Sequence, residues 1–254
     1  MIENIFSGQA AIITGAGQGI GFEIASQLCL QGAKIVLNDI DKNLAMQAAK
    51  KIEKANGQCI VMAGDAADVS FIYTMVGEAV KEFGSLTIAI ANAGITLFGD
   101  FFEYTPQALE KLMRLNLGGS FFLAQAAAVQ MKKQKEGGTI LLMSSVTGHQ
   151  AHKNLAAYGM TKAGIEMLAK TLVIDLSPFN ISINAVAPGA TITERTIGDT
   201  EYIKMWSQIT PMGRPATSSD IANAALFLIS PLSRHITGQT IVVDGGWTSV
   251  SPQP

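Results

Sequence analysis

The 254-residue chain is 48% hydrophobic and 15% charged, with 25 glycines and a formal net charge of −2. This is the composition of a packed globular protein, neither disordered nor fibrous, and its balanced charge gives no general electrostatic basis for nucleic acid or an anionic membrane as partner. The length suits one large α/β domain better than two small ones and buries roughly three quarters of the unfolded surface.

No stretch approaches the ~18 consecutive apolar residues of a membrane span. The opening MIENIFSGQAAIITG has no basic segment followed by an apolar run, so a secretory signal is not expected and a cytoplasmic protein is. Cys29 and Cys59 sit in apolar segments without zinc or redox spacing, which makes them small buried side chains and predicts no metal. Lys132, Lys133 and Lys135 read as solvated charges closing one helix.

Residues 9–14 form a short apolar run that stops at Gly15-Ala16-Gly17-Gln18-Gly19-Ile20-Gly21 and continues with apolar residues at helical spacing. Strand, glycine loop and helix in that order suit a pyrophosphate, because glycines let the backbone approach and the helix start offers free N–H groups. A second strand, Lys34 to Leu37, ends at Asn38-Asp39-Ile40-Asp41. Asp39 falls 24 residues after Gly15, where a carboxylate accepts both ribose hydroxyls of NAD and repels the 2′-phosphate of NADP. Neither Gln18 nor Asn38 offers that phosphate a cation, and Asp41 suits the N-cap of a helix over 42–55.

A third strand, Cys59 to Met62, leads to Gly64-Asp65-Ala66, and an amphipathic helix is expected from Ser70 to Phe83. A fourth strand, Leu86 to Ala91, leads to Asn92-Ala93-Gly94. These alternations predict an α/β fold: a single-domain, doubly wound (Rossmann) parallel sheet of about seven strands with helices on both faces. Gly15, Asp39, Asp65 and Asn92 then share the carboxyl ends of the strands, where such sheets bind ligands.

A long helix is expected from Pro106 to Lys135, interrupted in character by Asn116, Gly118 and Gly119. Two glycines there each cost about 0.5–1 kcal/mol relative to Ala, so either a bend or a close approach is expected; a kink at Asn116 would free a backbone carbonyl to hold a water. The fifth strand, Thr139 to Met143, delivers Ser144 and Ser145 to the same edge. Within the helix that follows, Tyr158 and Lys162 stand four apart on one face, where an ammonium favours phenolate. The Tyr-x-x-x-Lys spacing alone is common by chance, and its context carries the reading.

That context resembles the short-chain dehydrogenase/reductase family. Thr14-Gly15-x-x-x-Gly19-x-Gly21 is similar to its cofactor loop and Asn92-Ala93-Gly94 to its strand-four motif. Asn116, Ser145, Tyr158 and Lys162 match its catalytic tetrad, with Ser145 29 residues after Asn116 and 13 before Tyr158. Pro188-Gly189 with Thr193, and Thr237-Gly-Gln-x-x-x-Val243-Asp244-Gly245-Gly246, match as well, so the resemblance runs from Phe6 to Trp247. Ala91, where the family often has a second Asn, departs from the pattern.

The resemblance implies an NAD-linked oxidoreductase. Tyr158 would be the general acid or base, Ser145 a donor to the substrate oxygen, Lys162 the partner of Tyr158 and of the nicotinamide ribose, and Asn116 the holder of a water. The implied cofactor set is Thr14, Gly15, Gln18, Gly19, Ile20, Gly21, Asp39, Asp65, Ala66, Asn92, Ala93, Gly94, Tyr158, Lys162, Pro188, Gly189, Thr191 and Thr193.

The helix expected from Leu155 to Leu176 is small on one side and apolar on the other, which predicts burial against the sheet and against a second subunit, with cover from the Asn116 helix as the alternative. The family's usual dimers or tetramers agree. After a sixth strand, Ser182 to Val186, the connection 189–213 is long enough to act as a lid; a helix over Ser218 to Ile229 and a strand over Thr240 to Val243 complete the sheet.

Substrate contacts are expected from Ser145, Thr147, His149, Gln150, Tyr158 and Trp206, with Glu194 and Arg195 hanging over His149 to Asn154. Such a polar pocket predicts a small-molecule sugar, polyol or other hydroxylated secondary alcohol. A 3-oxoacyl thioester reductase and a non-catalytic NAD-binding sensor or scaffold are the alternatives.

Overall fold

A computed structural model describes residues 4–134 and 136–250. Lys135, the first three residues of the opening segment and the last four residues of the chain lie outside the described residues. The elements follow in chain order: β1 (Ala10–Ile13), α1 (Gly19–Leu30), β2 (Lys34–Asp39), α2 (Lys42–Lys54), β3 (Gln58–Ala63), α3 (Val69–Phe83) and β4 (Ile88–Ala91). Then come α4 (Pro106–Leu112), α5 (Ser120–Gln134), β5 (Gly138–Met143), α6 (Ala156–Thr171), α7 (Val173–Leu176) and β6 (Ile181–Pro188). The last are β7 (Thr191–Ile192), α8 (Thr200–Ile209), β8 (Ala216–Thr217), α9 (Ser218–Ile229) and β9 (Thr240–Val243).

Seven strands form one sheet in the order β3-β2-β1-β4-β5-β6-β9, parallel at every pairing. The chain winds outward from β1 to β3, then crosses back to place β4 on the other side of β1. A crevice opens at that reversal, beyond the carboxyl ends of the strands. Side chains along a strand alternate between faces: Ala11 and Ile13 of β1 join the core under α1, α2 and α9, and Ile12 joins the core under α3, α5 and α6. With both faces covered, strands such as β6 are buried at every position, hence their unbroken apolar sequences.

Two expected helices differ. The segment 106–134 is not one α-helix: between α4 and α5 the turn from Met113 to Gly119 is π-helical. Both causes weighed for its glycines operate, since the extra residue per turn bends the path and a Cβ on Gly119 would stand 2.7 Å from the Ala66 carbonyl oxygen. The helix expected to reach Leu176 is broken at Leu172, continuing as α7 and a 3₁₀ turn, Ser177–Phe179. Pro178 has no N–H to continue the ladder.

Candidate active site

Thr14 and Asn92 fasten the glycine loop to the sheet. The Thr14 hydroxyl accepts the backbone N–H groups of Asn92 and Ala93, each at 3.1 Å. The Asn92 amide donates to the carbonyls of Thr14 and Gly15, both at 2.9 Å, so this side chain shapes the loop. Gly15 has φ +62, and a Cβ there would meet the Ala93 Cα at 2.9 Å; only glycine fits. A Cβ on Gly21 would lie 2.5 Å from the Gly15 carbonyl oxygen, so helix and strand also meet closely.

This loop is one wall of a cavity of about 580 Å³ lined by Gly15, Gln18, Gly19, Ile20, Gly21, Asp39, Asp65, Ala66, Asn92, Ala93, Gly94 and Thr193. Thr14 and Thr191 are buried behind it. Pro188, ending β6, Gly189, Tyr158 and Lys162 are not among its lining residues. Asp39 ends β2, and its carboxylate accepts Gly17 N–H and Asp41 N–H at 3.0 Å each, which leaves lone pairs free for further donors. Asp41 caps α2, accepting from the N–H groups of Asn43 and Leu44. The glycine cradle, the N-terminus of α1 and the fixed Asp39 carboxylate fit a dinucleotide.

Cations hidden from a linear reading also line this cavity: Lys111, Arg114 and Arg195. Arg114 pairs with Asp65 at 2.6 Å. Glu194 and Arg195 do not hang over His149 to Asn154 as expected. They belong to the cofactor cavity, where Glu194 Oε2 accepts Gly19 N–H at 2.8 Å; the helix start attracts the nearest carboxylate.

The second half of the site stands at the ends of β4 and β5. Asn116, fully buried in the π-helical turn, accepts Ile95 N–H at 2.9 Å and donates to the Ile95 carbonyl at 3.0 Å and to the Thr161 hydroxyl at 3.2 Å. Its backbone carbonyl accepts the Ser120 hydroxyl at 2.7 Å.

Lys162 is 4% exposed. Its ammonium donates to the Met143 carbonyl at 2.8 Å and sits 5.4 Å from the Tyr158 ring centroid. Burial pushes this ammonium below the ordinary lysine range, and the neighbouring Tyr158 phenol opposes that push. A Cβ on Gly94 would stand 3.3 Å from Asn116 Oδ1 and 3.5 Å from Lys162 Nζ, so the strand-four motif, Asn116 and Lys162 converge. Ser145 begins the 3₁₀ turn Val146–Gly148, its hydroxyl accepting Thr147 N–H at 3.3 Å.

The expected substrate residues divide. The Thr147 hydroxyl is buried without a hydrogen-bond partner, and Gln150 is exposed. His149, exposed, turns its Nε2 to Glu166 Oε1 at 2.9 Å, because a buried carboxylate draws the nearest donor. Trp206, on α8, meets Trp247 edge to face with centroids 5.1 Å apart.

A crevice with a glycine cradle and a strand-end carboxylate, and a buried lysine beside a phenol at the same end of the sheet, define a dinucleotide-dependent enzyme of the Rossmann type. A family model described as "Enoyl-(Acyl carrier protein) reductase" matches residues 15–248. The chain is 34% identical over 245 residues to an L-rhamnose 1-dehydrogenase (NAD(P)(+)) of Azotobacter vinelandii, covering 94% of this chain and 96% of the relative. It is 35% identical over 254 residues to an L-rhamnose-1-dehydrogenase of Scheffersomyces stipitis, covering 95% and 96%. A 7α-hydroxysteroid dehydrogenase solved with NADH and 7-oxo glycochenodeoxycholic acid superposes with a TM-score of 0.90 at 33% identity, over 96% of each chain. The chain belongs to the short-chain dehydrogenase/reductase family, as an oxidoreductase acting on CH–OH groups.

Among the described residues no helix is long and apolar enough to cross a membrane.

Proposed function

We propose that the protein is an NAD-preferring dehydrogenase of a sugar, polyol or other hydroxylated secondary alcohol, with Asn116, Ser145, Tyr158 and Lys162 as its catalytic set. The observation that carries the reading is the buried Lys162 ammonium beside the Tyr158 ring, at the sheet end shared with the glycine loop. When bound, the nicotinamide accepts or donates a hydride, two electrons with one proton. In the oxidising direction Tyr158, as phenolate, takes the substrate hydroxyl proton while the adjoining carbon gives up hydride, leaving a carbonyl. Ser145 donates a hydrogen bond to that oxygen as its charge changes. Lys162 favours phenolate and holds the nicotinamide ribose, and Asn116 fixes α6 against Ile95.

Asp39 supports NAD, since it lines the cavity and a carboxylate at that strand end accepts ribose hydroxyls and repels a 2′-phosphate. The L-rhamnose dehydrogenases support a hydroxylated substrate. We further read the 189–213 connection as a lid over nicotinamide and substrate, with Thr191 and Thr193 near the carboxamide. Met160 and Met167 on α6 and Phe121 and Val129 on α5 are exposed, which supports a homo-oligomer, a dimer or tetramer. The π-helical turn covers α6 only partly: Leu117 packs at Gly164.

The test is a screen of NAD reduction over aldoses, L-rhamnose among them, polyols and secondary alcohols, beside NADH-driven reduction of 3-oxoacyl thioesters. Turnover confined to hydroxylated substrates is expected. Activity only on the thioesters would replace the substrate assignment, and silence in both directions would overturn the dehydrogenase reading.

A further inference from the structure

One carboxylate pins the Ser145 loop on both sides of that residue. Glu166 lies on α6 four residues beyond Lys162 and is 8% exposed. Its Oε1 accepts the Ser144 hydroxyl at 2.6 Å, and the same oxygen is 2.9 Å from His149 Nε2. Ser144 precedes Ser145; His149 follows the 3₁₀ turn that Ser145 begins. The His149 contact is an ion pair when the imidazole is protonated and an N–H···O bond in the neutral tautomer.

Backbone packing closes the same seam. The Ser144 hydroxyl also lies 3.0 Å from the Lys162 carbonyl oxygen. A Cβ on Gly148 would stand 2.9 Å from Glu166 Oε1 and 3.0 Å from Ala163 N, and one on Gly159 would stand 2.8 Å from the Thr147 carbonyl oxygen. The loop therefore rests directly on the helix that carries Tyr158 and Lys162.

A carboxylate is an expensive residue to bury for packing alone, because a charge out of water needs donors. What it provides is hydrogen bonds about twice as strong as neutral ones, made here to residues flanking Ser145. Glu166 does not line the dinucleotide cavity.

We propose that Glu166 is a positioning residue, which holds the Ser145 hydroxyl in register with Tyr158 through Ser144 and His149. The inference rests on the roles given above to Ser145 and Tyr158. Its importance follows from geometry, since a misplacement of about 1 Å in a reacting group can cost on the order of 100-fold in rate.

The test compares E166A, E166Q, H149N and the E166A/H149N double variant, and reads kcat, KM, NADH affinity and backbone hydrogen exchange of residues 144–150. For E166A, exchange quickens in that segment while β4 stays protected, and kcat falls about 10- to 100-fold with NADH affinity unchanged. E166Q keeps an oxygen for Ser144 but only neutral hydrogen bonds, and recovers part of kcat. H149N loses less, and the double variant is no worse than E166A, because both changes act through one contact. Unchanged kcat in E166A, no rescue by Gln, or losses that multiply in the double variant would each overturn the proposal; multiplying losses would make His149 an independent contact. Should E166A not fold, H149N and S144A carry the same comparison. If the wild type binds NADH yet turns over no alcohol, the functional reading fails by itself, and exchange of 144–150 still decides whether Glu166 pins the loop.

Discussion

Two segments differ in how firmly the fold holds them. Between Ser144 and Lys162 residues 149–154 are exposed, but both ends are anchored: Lys162 bonds the Met143 carbonyl, Ser144 bonds Glu166, and Thr161 bonds both Asn116 and the Tyr158 carbonyl. From 189 to 213 the chain has little beneath it. Helix α8 buries none of its residues, and Ile197, Met205, Ile209 and Met212 are exposed. Its ties include the short β7–β8 pairing, the Glu194 carboxylate on Gly19 N–H, the Trp206–Trp247 contact and bonds from Gly189 N–H to the Val243 carbonyl and Met212 N–H to the Gly245 carbonyl. On the function proposed above, the groups that hold reacting atoms sit on the better-anchored segment, and the segment that would admit ligand is the less packed one.

The contrast breaks hardest at Tyr158. The Tyr158→Phe change should lower kcat by about 10²–10⁴-fold, the range for losing a general acid or base, while equilibrium titration finds dinucleotide binding kept. Near-normal turnover would remove Tyr158 from the chemistry. Ser145→Ala should cost about 10²–10³-fold in kcat, the scale of one donor to a developing oxyanion, and an effect on KM alone would reassign Ser145 to ground-state binding.

Asp39 sharpens the comparison on the cofactor side. Asp39→Ala should narrow the NAD-over-NADP ratio of kcat/KM by about 10- to 100-fold, from the ~1.5–3 kcal/mol of hydrogen bonds to a charged group. A wild type that prefers NADP would show that Lys111, Arg114 and Arg195 outweigh the carboxylate.

Changes in the outer segment should be milder. Trp206→Ala removes an edge-to-face pair worth about 0.5–1.5 kcal/mol, so KM for the alcohol should rise severalfold with kcat nearly kept; a collapse of kcat would place α8 within the catalytic geometry. The smallest effect is expected at the return of the connection into the fold, where Thr217 and Asp220 form a capping box and Arg214 pairs with Asp220 at 2.7 Å. The Arg214 guanidinium and the Thr217 N–H hold the Asp220 carboxyl well below the usual carboxylate range. Because the folded state binds this proton less readily than the unfolded one, the stabilisation is complete above about pH 4 and fades as pH falls further. Asp220→Ala should lower stability by about 1 kcal/mol at neutral pH, and denaturant melts of variant and wild type should converge in acid. A constant gap would assign the effect to packing.

The strand edges carrying Gly15, Asp39, Asn92 and Ser145 were legible because each is a short apolar run ending in glycine or polar residues, and the helix over Ser218–Ile229 and the strand over Thr240–Val243 have the bounds expected of them. The 106–134 segment was legible only as a disturbance at Asn116, Gly118 and Gly119. Apolar periodicity does not distinguish a π turn from an α turn once side chains alone are read, and the Ser120 hydroxyl that takes the Asn116 carbonyl looked like any helical serine. Glu166 gave no signal at all: a glutamate in a helix reads as solvated until the partner element is placed on it.

Local order along the chain therefore determined the parallel sheet, the glycine cradle and the Tyr158–Lys162 pairing, since these depend on period, turn chemistry and a helical offset of four. Tertiary structure alone decided that His149 faces Glu166, that Glu194 meets Gly19 N–H, and that Lys111, Arg114 and Arg195 share a cavity with Asp39. Those contacts join residues up to 175 positions apart, and a charge's partner is set by which elements the fold packs together, a property no local window contains.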